Sequence, residues 1–447
     1  MVETESLHFR FPESLDAILK DVTVSVRQGR TMLSGASGSG KSTLLALFNR
    51  LYPENCDGIL DGRLELLGRT YDDYAPGEIN QRVGTVFQDP DTQFVMERVE
   101  EELIFTLENL STPVSDIEQR VTEILESLQL SDYRNRKIDS LSGGQKQRIA
   151  VACALVGRPE WLLLDEPLTH LDPVTAEEFV KWLDKMKDLN VIVVEHRPHL
   201  WGDYFDWHIK LERGCVVRNE SFRPVEDFAF VKSNASLSAI QRYKVKEVRR
   251  DSFQLNETML HVRAGEVIAI LGPNGSGKST FLRSLTEHDH RVGLVPQSPE
   301  HLFFMNSVER ELQFGHETSI ETVLSDMELH NQRSLHPLSL SHGQKRRLAV
   351  GIQSLSSKQL LAFDEPTAGQ DEASLHALEA LMKRHAEQGQ TILFVTHDLS
   401  FANIANTFYL MKDGELSGPF GDELWQNTEM LLDYRLKGRG ERCHSMT

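Results

Sequence analysis

The sequence has few cysteines and no long apolar stretch, and both absences narrow the classes of protein to consider. Only four of its 447 residues are cysteine, and no two form a CxxC pair: they are Cys56, Cys153, Cys215 and Cys443. Neither a disulfide framework nor a cysteine metal site is therefore predicted, and reduced cytosolic thiols are expected. No apolar run reaches the roughly 18 residues of a membrane-spanning helix. The first residues, MVETESLHFR, lack the apolar segment of a signal peptide.

Positive charge is also scarce. The chain has 48 lysines and arginines against 67 aspartates and glutamates, a formal net charge of -19. A nucleic-acid-binding protein would need a basic face, so this balance predicts no nucleic-acid partner. Apolar residues make up 40% and charged residues 26% of the chain, which is ordinary for a globular protein. The length is suited to two domains of roughly 200 residues each.

The second half of the chain repeats the motifs of the first half in the same order. The pairs are GASGSGKST and GPNGSGKST, VFQDP and VPQSP, LSGGQKQRIAV and LSHGQKRRLAV, LLLDEP and LAFDEP, and VVEHR and FVTHD. The offset between matching residues falls from 237 at Lys41 and Lys278 to 209 at Gln88 and Gln297, and to 199 at the serines of LSGGQ and LSHGQ. The second half is therefore shorter by 28 residues before the glutamine and by 10 after it, and a tandem duplication is predicted.

Apolar runs alternate with helical patterns in both halves. WLLLDEP and VIVVEH have the composition of buried parallel strands, and STLLALFNRL has helical apolar spacing. This alternation predicts an α/β fold with crossover connections. The segment from Asn219 is polar and irregular. We therefore predict a first domain over 1–220, a linker over 221–236 and a second domain over 237–447.

The motif GxxxxGK[ST] occurs twice and predicts two sites for nucleotide phosphates. Its glycines let backbone N–H groups turn inward around the phosphates, and the following helix N-terminus favours an anion. The lysines are predicted to reach the β- and γ-phosphates, and the serines after them to bind Mg²⁺. The predicted nucleotide-binding residues are Gly35, Ala36, Ser37, Gly38, Ser39, Gly40, Lys41, Ser42 and Thr43, and Gly272, Pro273, Asn274, Gly275, Ser276, Gly277, Lys278, Ser279 and Thr280.

Two acidic pairs follow apolar strands in matching positions. Asp165 and Asp364 each end a strand, where a carboxylate can hold Mg²⁺ through water. Glu166 and Glu365 follow them and are expected to point elsewhere. We predict that these glutamates act as general bases that polarise an attacking water.

Histidines and glutamines in matching positions complete each predicted site. His196 and His397 end the next apolar strand and are predicted to donate a hydrogen bond to the γ-phosphate. Gln88 and Gln297 are predicted to complete the Mg²⁺ shell and to position water. Each carries weight only because the duplicate places it in the same register.

With these motifs in order, both halves resemble nucleotide-binding domains of ATP-binding-cassette (ABC) proteins. The resemblance covers nearly the whole chain. It implies two tandem P-loop NTPase domains, each with a RecA-like parallel-sheet core, a helical subdomain and an antiparallel β subdomain. It also implies a head-to-tail cassette dimer within one chain, in which two ATP molecules lie between a phosphate loop and the signature of the opposite half. The implied signature residues are Ser142, Gly143, Gly144 and Gln145, and Ser341, His342, Gly343 and Gln344.

Two details depart from the family pattern. His342 replaces the first signature glycine, and this is either a tolerated variant or a cause of unequal turnover at the two sites. Phe11 matches the position of the aromatic residue that stacks on adenine in this family. The second half has no clear counterpart, although Tyr243 and Phe253 are candidates.

Further runs resemble the ATPases of energy-coupling-factor (ECF) importers for vitamins and metals. FQDPDTQFV resembles their FQNPDDQ run, and VEEELIFTLENL, SVERELQFG and the basic residues after both signatures match as well. The resemblance implies ATP and Mg²⁺ as cofactors, an integral membrane coupling subunit and a small substrate-binding membrane subunit as partners, and one chain per complex at the cytoplasmic face of the cell membrane. The helical regions 90–139 and 299–336 would grip the membrane subunit.

Other classes of ABC protein stay open. A sugar- or peptide-type importer ATPase is the nearest alternative, although Glu365 and LSHGQ differ from the usual second site of the sugar type. A soluble tandem ATPase acting on ribosomes usually carries a long charged linker or a cysteine cluster. A DNA-repair ATPase would need coiled-coil or zinc insertions. The sequence cannot name the transported molecule.

Overall fold

The short apolar runs of the first half become strands of a six-stranded sheet in the computed structural model of the protein. Five strands are parallel, and the edge strand Cys215–Ser221 is antiparallel to its neighbour. The order across the sheet is Cys215–Ser221, Trp207–Glu212, Arg30–Gly35, Asn190–Val194, Trp161–Asp165 and Val83–Val86. The alternate residues of Trp161–Asp165 enter two different apolar cores, one on each face of the sheet. Burial on both faces explains why these strands are continuously apolar.

Helices cover both faces of this sheet. One core contains Lys41–Phe48 together with side chains of the antiparallel strands. The other core contains the remaining long helices of the unit, which are Val99–Asn109, Val114–Ser127, Gly143–Val156 and Pro173–Asp184. The first-half fold is therefore α/β with a helical layer and a separate antiparallel sheet, as the sequence predicts.

The second half builds the same architecture. Its six-stranded sheet has the order Val292–Val295, Leu360–Asp364, Thr391–Thr396, Val267–Leu271, Thr407–Lys412 and Glu415–Phe420. Its helices are Lys278–His288, Val308–Gln313, Glu321–Asp326, His342–Leu355, Glu372–Glu387, Leu399–Ala402 and Thr428–Asp433. Within the described residues no helix is both long and apolar enough to cross a membrane.

The 28-residue difference between the halves falls in the antiparallel strands. The first half has a four-stranded sheet in the order Leu19–Val26, Val2–Arg10, Ile59–Leu66 and Arg69–Thr70. In the second half the described antiparallel strands form two separate pairs that both precede Lys278, Ile240–Val245 with Thr258–Arg263 and Val248–Arg250 with Phe253–Leu255. The described residues between Lys278 and Gln297 hold no counterpart of Ile59–Leu66 or Arg69–Thr70. The second half therefore lacks the antiparallel strands that follow the phosphate-loop helix in the first half, and its central sheet keeps six strands.

The structure describes residues 2–12, 14, 16–54, 57–75, 77–169, 171–223, 240–250, 253–315, 320–355, 358–368, 370 and 372–436. The chain forms two compact units, Met1–Leu171 with Thr175–Glu226 and Asp172–Val174 with Asp227–Thr447. Most of the predicted linker 221–236, Cys56, Cys443 and the side chain of His342 lie outside the described residues. The expected irregular structure from Asn219 onward is wrong for 219–221, which pair with 207–209 as the end of a strand.

A matched pair of glycines tests how tightly helices pack on the two sheets. A Cβ added at Gly84 would lie 2.3 Å from the backbone oxygen of Ala154. At the matching Gly293 the nearest atom is the terminal Oε1 of Gln353, at 2.7 Å, which a flexible side chain can move away. We expect Gly84→Ala to lower the free energy of unfolding by about 1–3 kcal/mol and Gly293→Ala to lower it by less. Denaturant unfolding of both variants measures the difference, and equal losses would contradict this account.

Candidate functional site

Each phosphate loop is a tight turn between a buried strand and a helix. Positive φ angles at Gly38 and Gly40 (75° and 96°) and at Gly275 and Gly277 (80° and 104°) give the turns their shape. The helices begin at Lys41 and Lys278, directly after these glycines. Their N-termini are therefore directed into the loop, where an anion is favoured.

The lysine of each loop folds back over the loop. Lys41 Nζ donates hydrogen bonds to the carbonyl oxygens of Gly35 and Ala36 at 3.0 and 2.9 Å. Lys278 Nζ makes the same pair of bonds to Gly272 and Pro273, at 2.7 and 3.0 Å. Both lysines are about 95% buried, being 5% exposed. These buried ammonium groups can pair with phosphate when a nucleotide occupies the loop.

The serine after each lysine meets the predicted metal-binding aspartate. Ser42 Oγ donates to Asp165 Oδ1 at 3.2 Å, and Ser279 Oγ donates to Asp364 Oδ1 at 2.8 Å. Across the part of the chain that the structure describes, no group of three or more His, Cys, Asp or Glu side chains could hold a metal alone. A hydroxyl and a carboxylate suit Mg²⁺, which takes its other ligands from phosphate and water in nucleotide sites. The residues present therefore fit Mg²⁺ and not an all-protein metal cage.

In the first cassette, the predicted base Glu166 is surrounded by three partners. Its Oε1 lies 2.7 Å from His196 Nε2. Its Oε2 accepts hydrogen bonds from Gln88 Nε2 at 2.8 Å and from Thr169 Oγ1 at 3.1 Å. The carboxylate is 9% exposed. Glutamate, histidine and glutamine are therefore held in one cluster, although they come from three separate segments of the chain.

In the second cassette, Glu365 has different partners. His397 Nδ1 lies 3.1 Å from Oε2, and Lys278 Nζ lies 3.5 Å from Oε1. The position of Thr169 is taken by Ala368, which has no hydroxyl group. The two carboxylates are thus equally buried but differently held.

Both glutamates lie in a strained backbone conformation. The φ angle is 46° at Glu166 and 43° at Glu365, in the left-handed region that a residue with a side chain rarely adopts. Each glutamate N–H donates to the carbonyl of the neighbouring strand, at Val194 and Val395 respectively. The aspartate before each glutamate has a separate partner, since Asp165 and Asp364 accept from Ser42 and Ser279. Such strain is common at functional sites because the surrounding fold holds it in place.

Burial and neighbouring charges shift the carboxyl pKa values in opposite directions. Burial raises the pKa of Asp165 to about 6, against the hydrogen bond from Ser42, and it also raises the pKa of Asp364. Burial acts on the glutamates in the same sense, but the histidine and lysine beside each one outweigh it and lower the pKa of Glu166 and Glu365. Both glutamates are therefore ionised at neutral pH, which a general base requires.

The two signature serines cap helices. Ser142 precedes the helix Gly143–Val156, and its Oγ accepts from Gln145 N while Gln145 Oε1 accepts from Ser142 N. Ser341 and Gln344 make the same reciprocal bonds at the start of His342–Leu355. The signature is thus a capping box that fixes a helix N-terminus. A serine hydroxyl that accepts a bond can still donate one to an anion.

The second signature glycine is packed against a neighbouring helix in both cassettes. A Cβ at Gly144 would lie 2.3 Å from Thr175 Cγ2, and one at Gly343 would lie 2.9 Å from Ser374 Oγ. His342 is the first residue of its helix. Close packing therefore explains why glycine is kept at the second signature position in both halves.

The adenine predictions have unequal outcomes. Phe11 lies edge-on to Phe9 and Tyr52, with ring centroids 5.3 and 5.5 Å apart, and stays partly exposed. The prediction that Tyr243 could stack on adenine is wrong. Tyr243 is completely buried, and the guanidinium of Arg291 lies over its ring, 4.6 Å from the ring centroid. Phe253 lies against the phosphate loop, where its ring would be 2.5 Å from a Cβ at Gly277.

The motifs do not predict three further residues that lie near the sites. Thr169 bonds Glu166, as described above. Glu195 is 1% exposed, and its Oε1 accepts from the backbone N–H of His196 at 2.7 Å, which fixes the histidine loop. Arg346 is 2% exposed and lies between Gln297 and Glu365. Comparing the two halves position by position could have identified all three residues. The other half has Ala368, Thr396 and Gln147 at these positions.

Comparisons with known proteins identify the family. The sequence model of a family described as "ABC transporter" matches residues 19–169 and 255–368. A Bacillus subtilis protein named "Putative HMP/thiamine import ATP-binding protein YkoD" is 30% identical, over 93% of this chain and 91% of the relative. A Treponema denticola protein named "Putative ABC transporter ATP-binding protein" is 30% identical, over 97% of this chain and 100% of the relative.

Solved structures with a similar fold were also found. A structure titled "RNase-L Inhibitor" has a TM-score of 0.63 at 22% identity and covers 96% of this chain and 93% of its own. An archaeal ribosome recycling factor, solved in complex with a ribosomal stalk protein, has the same TM-score at 20% identity and covers 96% of this chain and 92% of its own. At these identities the likeness shows two tandem cassettes and nothing further.

Proposed function

This chain belongs to the ABC transporter family and is an ATP-hydrolysing protein with two cassettes, and we propose that it is the energy-coupling subunit of an ECF-type importer. It would drive the uptake of a vitamin, a vitamin precursor or a metal ion through membrane partners. The name of the Bacillus subtilis relative includes HMP/thiamine import, which supports a vitamin or vitamin precursor as the substrate.

We propose that each ATP molecule is hydrolysed between a phosphate loop and the signature of the opposite cassette. The first site would combine Lys41, Gln88, Asp165, Glu166 and His196 with the signature 341–344. The second would combine Lys278, Gln297, Asp364, Glu365 and His397 with the signature 142–145. Ser42 with Asp165, and Ser279 with Asp364, would hold Mg²⁺, which supplies charge neutralisation at the phosphates when bound.

The chain's own residues would then activate water. Glu166, ionised and held by His196 and Gln88, would accept a proton from a water beside the γ-phosphate. Since Glu365 carries the same charge and has a histidine partner, both sites are proposed to hydrolyse ATP. The signature serine would donate to the γ-phosphate from the opposite side.

A groove beside the first Gln loop is the observation that best supports a membrane partner. It has a volume of about 400 Å³ and is lined by Phe87, Gln93, Phe94 and Phe105 among others. The lining also includes polar residues such as Asn80, Gln81 and Glu102, and Phe87 is 38% exposed. A groove that combines aromatic and polar side chains suits one face of a short amphipathic helix of another protein. We propose that the groove holds a cytoplasmic helix of the integral coupling subunit and places the chain at the cytoplasmic face of the membrane.

Capture from native membranes tests this proposal. Tagged protein carrying Glu166→Gln and Glu365→Gln would be incubated with ATP, purified and examined by mass spectrometry. We expect a polytopic coupling subunit and a small hydrophobic subunit to co-purify, together with any trapped substrate. Ribosomal proteins or DNA without an integral membrane protein would contradict the importer proposal.

A groove variant makes the capture specific. Phe87→Asp in the same double-glutamine chain should lose the membrane subunits, because a charge would replace an exposed aromatic side chain of the groove. Val217→Asp is the matched control, since Val217 is an exposed apolar residue (54%) on an edge strand outside the groove. ATP binding is measured for both. Equal capture by the two variants would exclude the groove as the docking site.

A further inference from the structure

Arg346 is a buried cation that joins two catalytic segments of the second cassette. It is 2% exposed. Its Nη1 donates to the carbonyl oxygen of Glu365 at 3.1 Å, and its Nη2 donates to the carbonyl oxygen of Gln297 at 3.0 Å. A guanidinium is the side chain best suited to hold two acceptors in a fixed geometry. The Gln loop and the glutamate turn are therefore tied to one helix by a single side chain.

The first cassette lacks this connection. Gln147 occupies the matching position and is 3% exposed, and its Nε2 has no hydrogen-bond partner among the described residues. Both cassettes do share a neighbouring link from the signature helix to the Gln loop, through Lys146 with Asp91 and Lys345 with Glu300. The arginine is thus an additional link that Gln147 does not provide in the first cassette.

The glutamate turn does not require the arginine. Glu166 adopts nearly the same φ angle as Glu365 in a cassette where glutamine replaces Arg346. The arginine therefore does not create the strained turn. What it adds is a rigid connection between that turn, the Gln loop and the start of the signature helix.

This connection spans groups that serve different ATP sites. Arg346 follows the signature 341–344 by two residues in the helix His342–Leu355. In the pairing given under the proposed function, on which this step rests, that signature closes on the ATP held by Lys41. Gln297 and Glu365 instead act on the ATP held by Lys278. We propose that Arg346 is a positioning residue that couples the two ATP sites.

The physical consequence is that most of the coupling between the two ATP sites passes through the second cassette. When the second signature moves onto a γ-phosphate, Arg346 moves the Gln297 and Glu365 carbonyls with it. Among its described residues the first cassette has the lysine link without the arginine, so it transmits less. Binding at one site then changes affinity at the other, and this coupling is reciprocal by linkage. Most cooperativity between the two ATP molecules would therefore depend on the second cassette.

Arg346→Gln tests the coupling, and it introduces the residue that the first cassette already carries. We expect the Hill coefficient for ATP turnover to fall from roughly 2 toward roughly 1, with ATP still binding at both sites. Backbone amides of 294–300 should exchange with deuterium about 10-fold faster without nucleotide. The matching amides 85–91 of the first cassette should be unchanged. Arg346→Lys should recover part of the cooperativity, because an ammonium keeps the charge without the planar fork.

Arg347→Gln is the matched control. It removes a neighbouring arginine from the same helix, and its lost bond is to Glu328 Oε2 at 2.8 Å, away from the ATP sites. We expect wild-type cooperativity from it. Faster exchange with an unchanged Hill coefficient in Arg346→Gln would reduce Arg346 to a structural role and overturn the proposal. Unchanged exchange would overturn it as well.

The assays separate this inference from the importer proposal. They use only the purified chain and ATP, so a failed capture of membrane subunits leaves their result intact. A wild-type Hill coefficient of roughly 1 would show that there is no coupling between the sites to transmit, and the role of Arg346 would fall. Membrane capture could still succeed in that case.

Discussion

A chain carrying both Glu166→Gln and Glu365→Gln should bind ATP and hydrolyse it at least about 100-fold more slowly than the wild type, because general base catalysis contributes about 10²–10⁴-fold. Each glutamate is an ionised carboxylate beside a histidine, and glutamine keeps its size while removing its ability to accept a proton. Steady-state release of phosphate gives kcat, and equilibrium binding gives ATP affinity.

The single variants show how the rate divides between the sites. Glu166 is held by Gln88 and Thr169 as well as by its histidine, whereas Glu365 lies near Lys278. His342→Gly is the comparison variant, since it restores the signature glycine and leaves both glutamates unchanged. We expect it to change kcat less than Glu166→Gln does. A larger effect from His342→Gly, or near-normal turnover in the double glutamine variant, would reject these roles.

Lys41→Ala combined with Lys278→Ala should weaken ATP binding at both loops by about 100-fold. Removing one partner of a buried, hydrogen-bonded charge pair costs about 2–5 kcal/mol, and each 1.4 kcal/mol is tenfold in affinity. The loops would also lose their internal bonds to Gly35 and Gly272. Isothermal titration with ATP and Mg²⁺ measures the affinity.

Two controls distinguish phosphate binding from loss of loop shape. Lys181→Ala removes an exposed lysine that pairs with Glu177 one helical turn away, and it should leave ATP binding unchanged. Lys41→Arg keeps the positive charge with a different shape and should be intermediate. If the alanine variant binds ATP as well as the wild type does, the lysines are not phosphate ligands.

Much of the fold could be predicted from the order of motifs. The strands that lead into Gly35 and Asp165, the helix after Lys41, and the duplicate set in the second half occur where the sequence predicts them. Each is specified locally, by an apolar run that must be buried or by glycines that alone permit a positive φ. The repeat identified the candidate histidines and glutamines, because only some of them recur in matching positions of the two halves.

Other features depend on contacts between distant segments, which no local pattern encodes. Tyr243 is excluded from stacking because Arg291 covers it, and Asn219 lies in a strand because 207–209 pair with 219–221. Two cassettes, their α/β class and the residues at each phosphate loop follow from local sequence patterns, since glycine turns and buried runs act over a few residues. The burial of Arg346 between Gln297 and Glu365 does not follow from such a pattern, because burial of a charge depends on which distant carbonyls can pair with it.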